Sequence, residues 1–393
     1  MRRLTLLLIL LLPLPAAALT LDGATVWKGN QRFAETVRVS AGARLTVEPG
    51  ASIDFSAGGL EVAGQLQAEG VRFTGSNWQG IVLKGTDERT RLTDCSIEGA
   101  DTGLDVVGGT PVLENIRLRG NRIGLQLGKK TTALVTGCRI ENNRRAGLIV
   151  KDEARPRVEN NQISGNGLFG AYIVHARPQS FSGNRLGGQP TGLKIANFGT
   201  DPLIAGNRFE NNEVGILVDK ASRPTLTDNL LIGNGTGLHL NRRADPQVSG
   251  NRFNGNRVGI LATFSSYPRI VGNDFSDNRP ALKLEFQSST WEEENGEAAR
   301  RTETDRSAFG RQPRQNLGAE NRRPEQMDGT VDASGNWWGA AGTAELAGGA
   351  DNPSFIHDGR DQPTFSEGDK TYPLDSVLFS PWSPTALTQE TIR

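Results

Sequence analysis

From Gly80 onward the chain repeats one alternation of apolar and polar positions about every 22 residues. Each copy opens on a glycine, at Gly80, Gly103, Gly124, Gly147, Gly170, Gly192, Gly215, Gly237 and Gly259. In almost every copy two apolar residues follow it with one residue between them, as in Leu104 and Val106, Leu125 and Leu127, Ile216 and Val218, or Leu238 and Leu240. A second apolar site recurs at Leu92, Leu113, Val135, Val158, Phe181, Ile204, Leu226, Val248 and Ile270, and a third at Ile97, Leu118, Ile140, Ile163, Leu186, Phe209, Leu231, Phe253 and Phe275. Alternation with period two is the signature of a strand whose one face is buried. Three such strands per copy leave no room for a helix, so the pattern predicts an all-β coil of parallel strands, about 11–12 rungs stacked at roughly 4.8 Å.

Polar positions obey the same period. Between the second and third apolar sites stands one asparagine slot, Asn161, Asn184, Asn207, Asn229, Asn251 and Asn273. Asparagine tolerates the left-handed turn conformation, and its amide bonds an identical amide one rung away, so the stack satisfies itself. A second turn slot holds Asn121, Asn143, Asn166, Asn212, Asn234, Asn256 and Asn278, and proline recurs just before the second strand (Pro111, Pro156, Pro202, Pro224, Pro246, Pro268), where a missing N–H matters least. Cys95 and Cys138 occupy the first asparagine slot with Ile116 between them. Two rungs put them about 9.6 Å apart, beyond the roughly 7 Å a disulfide spans, which predicts two buried free thiols.

Regularity stops near Phe286. Residues 287–330 form a polar, Arg- and Glu-rich excursion whose only aromatics are Trp291 and Phe309; its composition predicts a mobile loop or a lid rather than a rung. Residues 331–338 restore the pattern, with Asn336 in the ladder slot and Trp338 in the third apolar site, and the rest of 331–393 is expected to cap the coil. At the other end, Arg2 and Arg3 precede an apolar run from Leu4 to Leu14 and then Ala16–Ala18, the pattern of a secretory signal peptide over 1–18. That run is too short to span a bilayer. The division is thus 1–18 signal peptide, 19–79 N-terminal rungs, 80–286 regular rungs, 287–330 excursion, and 331–393 last rung and cap.

The chain resembles the right-handed parallel β-helix repeat family, the pectate-lyase-like and NosD-like secreted bacterial proteins. Residues 24–384 carry the resemblance: LTVEPGASIDF, GLEVAGQLQAEGVRFTG and NWQGIVL near the start, SGNWWG (Ser334–Gly339), IHDGRDQP and VLFSPW near the end. It implies a right-handed, single-stranded parallel β-helix exported to the periplasm or beyond. The family implies no single activity.

Charge and chemistry narrow the picture. Forty-four Lys plus Arg balance forty-four Asp plus Glu, so no net field recruits nucleic acid, and no later segment is apolar for long enough to anchor in a membrane. Three histidines (His175, His239, His357) and Met327 show no metal-ligand spacing, Asp358 and Asp361 read as part of the cap, and no cofactor motif occurs. Glycoside chemistry needs two facing carboxylates about 5 to 9.5 Å apart; Glu114 and Glu159, in one slot two rungs apart around Thr136, are the weak catalytic candidates. Asp219 and Glu285 share another slot at three rungs, too far apart for that chemistry.

The more coherent outward feature is Arg117, Arg139, Arg185, Arg208 and Arg252, all from one strand position directly after the ladder slot. Such a line suits carboxylates or sulfates along an extended glycan, or else is a solvated face. A second outward line, Val82, Ile149, Tyr172, Leu217 and Leu261 interrupted by Lys194, His239 and Lys283, is apolar enough to require a cover. The reading is a non-catalytic scaffold binding an acidic polysaccharide or envelope component. A polysaccharide lyase or hydrolase and a NosD-like metalloenzyme-maturation factor are the alternatives.

Overall fold

A computed structural model describes residues 18–303 and 327–386; the expected signal peptide, apart from its last residue, lies outside them. Three long parallel sheets wrap one core. The first holds fourteen strands, from Leu19–Leu21 to Ile356–His357, and the second and third hold twelve each, from Ala24–Trp27 to Arg269–Ile270 and from Asn30–Phe33 to Asp274–Ser276. Within each sheet strands pair with those three strands away in sequence, save the last step of the first sheet from Leu282–Glu285 to Ile356–His357, which is a β-helix of about twelve rungs. Leu104, Leu125, Leu148, Ala171, Leu193, Ile216, Leu238 and Ile260 form one inward file of the first sheet, and each is buried.

The repeat glycines owe their place to crowding rather than to a turn. From Gly103 to Gly259 they have ordinary φ, but a Cβ on Gly215 would stand 2.6 Å from the carbonyl oxygen of Gly237, and the same contact recurs rung after rung. Only a residue without a side chain lets neighbouring rungs approach this closely.

Both asparagine ladders form. Asn229 illustrates the unit: its Nδ2 donates to Asn251 Oδ1 at 3.0 Å and to the Ile204 carbonyl at 2.9 Å, while Asn251 Oδ1 also accepts the Asn229 backbone N–H at 3.0 Å. The sequence reading errs in one detail. The left-handed residue is the one before the ladder asparagine (Asn160, Gly183, Gly206, Asp228, Gly250, Gly272), not the asparagine itself. Gln189 fills the gap in the second ladder, accepting from Asn166 N–H at 3.4 Å. Cys95 and Cys138 are free and buried, and burial pushes their thiols up to about 11 and about 12. Asn161 Oδ1 accepts the Cys138 N–H at 2.9 Å, so the cysteine occupies a ladder position.

The excursion differs from the loop that its polarity suggests: Ser289–Glu303 is a helix, α1. Ser288 caps it, its Oγ accepting the Trp291 N–H at 3.2 Å, and the Glu- and Ala-rich run that follows has high helix propensity. Residues 304–326 lie outside the described segments. Beyond them Asn273 N–H donates to Asn336 Oδ1 at 2.8 Å, and Trp338 stacks on Phe275 with centroids 4.9 Å apart, completing the column Phe253–Phe275–Trp338. The strands Thr330–Asp332 and Ser376–Leu378 pair in parallel, the helix Gly339–Ala347 (α2) abuts the end of the third sheet, and Thr364–Glu367 forms an antiparallel hairpin with Lys370–Pro373. Ile356–His357 continues the first sheet, so the tail covers the open end.

Candidate functional site

Strand register stacks the outward arginines as their spacing implies. Ser96, Arg117, Arg139, Gln162, Arg185, Arg208, Leu230, Arg252 and Asp274 form one file on the outside of the third sheet. Carboxylates interleave with them. Glu141 accepts from Arg117 Nε at 2.8 Å, and Glu210 accepts from both Arg185 and Arg208. Burial raises the Glu210 pKa, but its hydrogen bonds with Arg208 and Arg185 outweigh that and hold it below the ordinary range. Arg117, Arg185 and Arg208 are thus already engaged.

Glu114 and Glu159 share a file through Thr136, two rungs apart. Arg91 holds Glu114 at 3.2 Å; Arg157 holds Glu159 at 3.1 Å, and Ser180 also donates to it. Ser180 first, then Arg157, lower the Glu159 pKa, the reverse of what a general acid needs. On this face the pair consists of two surface ion pairs.

The first sheet presents a different outer face. Its central file runs Val82, Asp105, Gln126, Ile149, Tyr172, Lys194, Leu217, His239, Leu261, Lys283. Ile149 and Tyr172 are buried although they lie outside the coil. Their cover is local: Ile123, Ala146 and Phe169 pack with the first, and Val174, Ala196 and Phe169 with the second. Phe169 gives Tyr172 an aromatic neighbour at 5.4 Å, and the Lys194 ammonium stands 5.7 Å from both ring centroids, within cation–π reach.

One rung beyond Lys194, in the adjacent file, Asp219 is only 1 % exposed. Arg242 Nε donates to its Oδ1 at 2.7 Å, Asn241 Nδ2 to the same oxygen at 3.2 Å, and Lys194 Nζ lies 3.4 Å from Oδ2. Two cations share one carboxylate, so the cluster carries a net positive charge. His239 Nε2 lies 3.3 Å from Thr263 Oγ1, and burial depresses its pKa, so it is neutral at pH 7. Burial, then Asp219, pushes the Tyr172 phenol up to about 12. The face therefore combines a neutral phenol, a neutral imidazole and a cationic clamp.

A further row borders this face, formed by the residue five positions after each repeat glycine from Gly170 to Gly259 and, in the last copy, after Ala281. His175, Asn197, Lys220, Arg242, Phe264 and Phe286 are stacked by the register of the preceding file, and all have positive φ, from 48° to 79°. Phe264 and Phe286 stack at 5.3 Å with planes 6° apart, yet are 44 % and 46 % exposed. The sequence reading missed this row because its members share a backbone conformation rather than a side-chain type. Aligning the fifth position after the glycines would have found it.

Among the described residues, no three His, Cys, Asp or Glu side chains gather into a metal-binding group. Asp358 instead accepts from Arg360 Nε at 3.1 Å and from the Val377 N–H at 2.7 Å, which ties the cap together.

Two family models match the chain: residues 58–209 match the right handed beta helix region, and residues 201–302 match the periplasmic copper-binding protein NosD. No curated protein matches. Solved structures align with the chain at low identity and with TM-scores below 0.5. The A-module of mannuronan C-5 epimerase AlgE4 of Azotobacter vinelandii is 12% identical, with TM-score 0.47, over 67% of this chain and 89% of that one. The catalytic domain of a GH87 α-1,3-glucanase in complex with tetrasaccharides is 10% identical, with TM-score 0.30, over 69% and 60%. PfbA, a surface adhesin of Streptococcus pneumoniae, is 11% identical, with TM-score 0.30, over 66% and 83%. Among the described residues no helix is long and apolar enough to cross a membrane.

Proposed function

We propose, for a chain that belongs to the right-handed β-helix repeat proteins, the role of an exported, non-catalytic scaffold that binds an extended acidic polysaccharide along the outer face of its first sheet. The observation that carries the reading is the cluster of Lys194, Asp219 and Arg242: two cations and one carboxylate, half-buried on a long face beside Tyr172. A polymer lying along the coil axis meets a new rung every roughly 4.8 Å, and contacts that are weak singly gain from linkage along one ligand. Low local exposure strengthens each cation's pull on a carboxylate relative to bulk water. The leader-like start and the match to a periplasmic family over 201–302 support export.

A second reading follows that same match, a factor in metalloenzyme maturation; within this chain it rests on the match alone. A lyase or hydrolase has less support, since Glu159 is held ionised and the carboxylate of Asp219 is closed off by three donors.

Purified mature protein is to be screened against acidic and neutral glycans while release of new chain ends is followed. Binding of acidic chains without such release is expected, with Lys194→Gln weakening it by about tenfold, the worth of one partly desolvated charged contact. Strong release of new ends, or no binding of acidic chains, defeats the reading.

A further inference from the structure

At the C-terminal end of the row, four aromatic side chains from three separate parts of the chain make a corner. Phe264 and Phe286 stack in parallel, and the Phe365 ring meets Phe286 edge-on at 84° with centroids 5.6 Å apart. With Trp291 of α1, and with Ser366 and Glu367 of the hairpin, they line a cavity of about 150 Å³. A void of about that size takes one six-membered ring. Its rim is polar on the hairpin side, because Ser366 and Glu367 are both exposed.

Backbone conformation makes the corner more than leftover packing. Phe264 and Phe286 sit at φ 52° and 51°, a region that bulky side chains rarely adopt and that asparagine accepts. Asn197 occupies the equivalent position three rungs before Phe264. Two aromatics therefore stand where the backbone disfavours them and remain nearly half exposed. Strain kept at an exposed position points to a role other than folding, and a paired aromatic surface of this kind marks a ligand groove.

We infer that this corner is a terminal subsite that stacks the apolar face of one pyranose ring, with Ser366 and Glu367 receiving its hydroxyls. The inference deepens the glycan-binding reading above and rests on it for the direction of the polymer. The corner closes the same row that carries Arg242, two rungs beyond Lys220 and Arg242 respectively for Phe264 and Phe286. An acidic chain held at Lys194 and Arg242 thus runs on to an uncharged, ring-stacking end. It also gives α1 and the hairpin a task, since each contributes one wall.

The test uses the full mature chain, with cellohexaose as a neutral probe and hexagalacturonate as an acidic one. Trp291 fluorescence and ligand-observed saturation-transfer NMR are the readouts, with Trp291→Phe as the signal control. Cellohexaose is expected to perturb Trp291. Phe264→Asn and Phe286→Asn are expected to weaken it by about tenfold or more without lowering Tm, because asparagine suits the backbone there. Should the parent bind cellohexaose at the corner but not hexagalacturonate, the acidic-track reading fails and the subsite stands. Should hexagalacturonate bind while Trp291 stays silent and both Phe variants bind like the parent, the subsite fails and the track stands. The inference is also overturned if neither probe touches Trp291, if probe binding appears only after deletion of residues 304–326, or if Phe264→Asn dissociates a dimer, since the corner would then belong to that segment or to a second copy.

Discussion

The outer faces of the third and first sheets rest on the same coil and differ in how they neutralise charge. On the third, carboxylates meet exposed arginines: Glu141 meets Arg117 one rung away, and Glu210 meets Arg185 one rung away and Arg208 on its own strand. Such pairs are worth little singly and are screened by salt. The first has exposed pairs too, such as Glu61 with Lys84, but there one carboxylate, Asp219, is buried under Lys194, Arg242 and Asn241. A charge so placed depends on its partners, and its partners depend on it. A conspicuous row of like charges can thus be a balanced surface, while a short, mixed, half-buried cluster is the better candidate for recognition.

The sharpest way to break this contrast is Asp219→Ala, which strands two cations on a partly dry face. It is expected to cost about 2–4 kcal/mol, toward the range for breaking a buried pair, whereas Glu141→Gln on the other face should cost less than about 1 kcal/mol; urea melts of the two variants decide. Between the two sheets that flank the ladder, Asn229→Leu calibrates the core beneath both faces. It leaves Asn207 N–H and neighbouring ladder groups unpaired and should cost about 1–3 kcal/mol; an unchanged Tm would show that the ladder carries no load.

A pH scan sharpens the comparison at the turn beside the first sheet. There burial pushes Asp245 up to about 7, against the Tyr267 N–H and Arg223. Its folded pKa lies above its unfolded value, so the native state binds the extra proton between about pH 4 and 7, and stability from this group increases as pH falls through 7. Tm is expected to rise on going from pH 8 to about pH 6.5, before buried His175 and His239 pull the other way, and Asp245→Asn should reduce that rise. Glu210 on the third-sheet face, held below the ordinary range by Arg208 and Arg185, loses its share of stability only further down, below the unfolded carboxylate pKa.

The smallest expected effect concerns the arginine row. Its spacing alone argues for a loss above tenfold in acidic-glycan binding when Arg139, Arg185 and Arg208 all become Gln. With Arg185 and Arg208 already held by Glu210, the expected loss is about threefold at low salt and vanishes at high salt. A tenfold loss measured by calorimetry would return the binding site to the third sheet.

Period and polarity made the fold legible. Strand positions, both ladders, the closing rung at Asn336 and Trp338, and the unpaired cysteines all follow from counting slots, because in a β-helix every slot is a fixed direction. What the count lacked was tertiary burial. Lys194, Asp219 and Arg242 sit in different columns of the repeat, and only the twist and depth of the face bring them onto one carboxylate. The α1 helix was hidden for another reason: a Glu- and Arg-rich run looks solvated whether it is coiled or helical, and the capping Ser288 was the one local signal.

Because every strand of the coil pairs only with its counterparts one rung before and after, length in this molecule comes in whole increments. Excising residues 215–236, one full repeat, would join Val214 to Gly237 and stack Gly237–Asn241 directly on Thr191–Ala196, with Val214 taking the slot of Thr236 and inward and outward sides preserved, as in other proteins whose stability is a sum of neighbour terms. The excision would not blur the surface; it would bring the phenylalanine corner one graduation closer to Tyr172. Selection can therefore tune the distance between two binding points on such a chain by adding or dropping a repeat, in the way a ruler is cut at its marks.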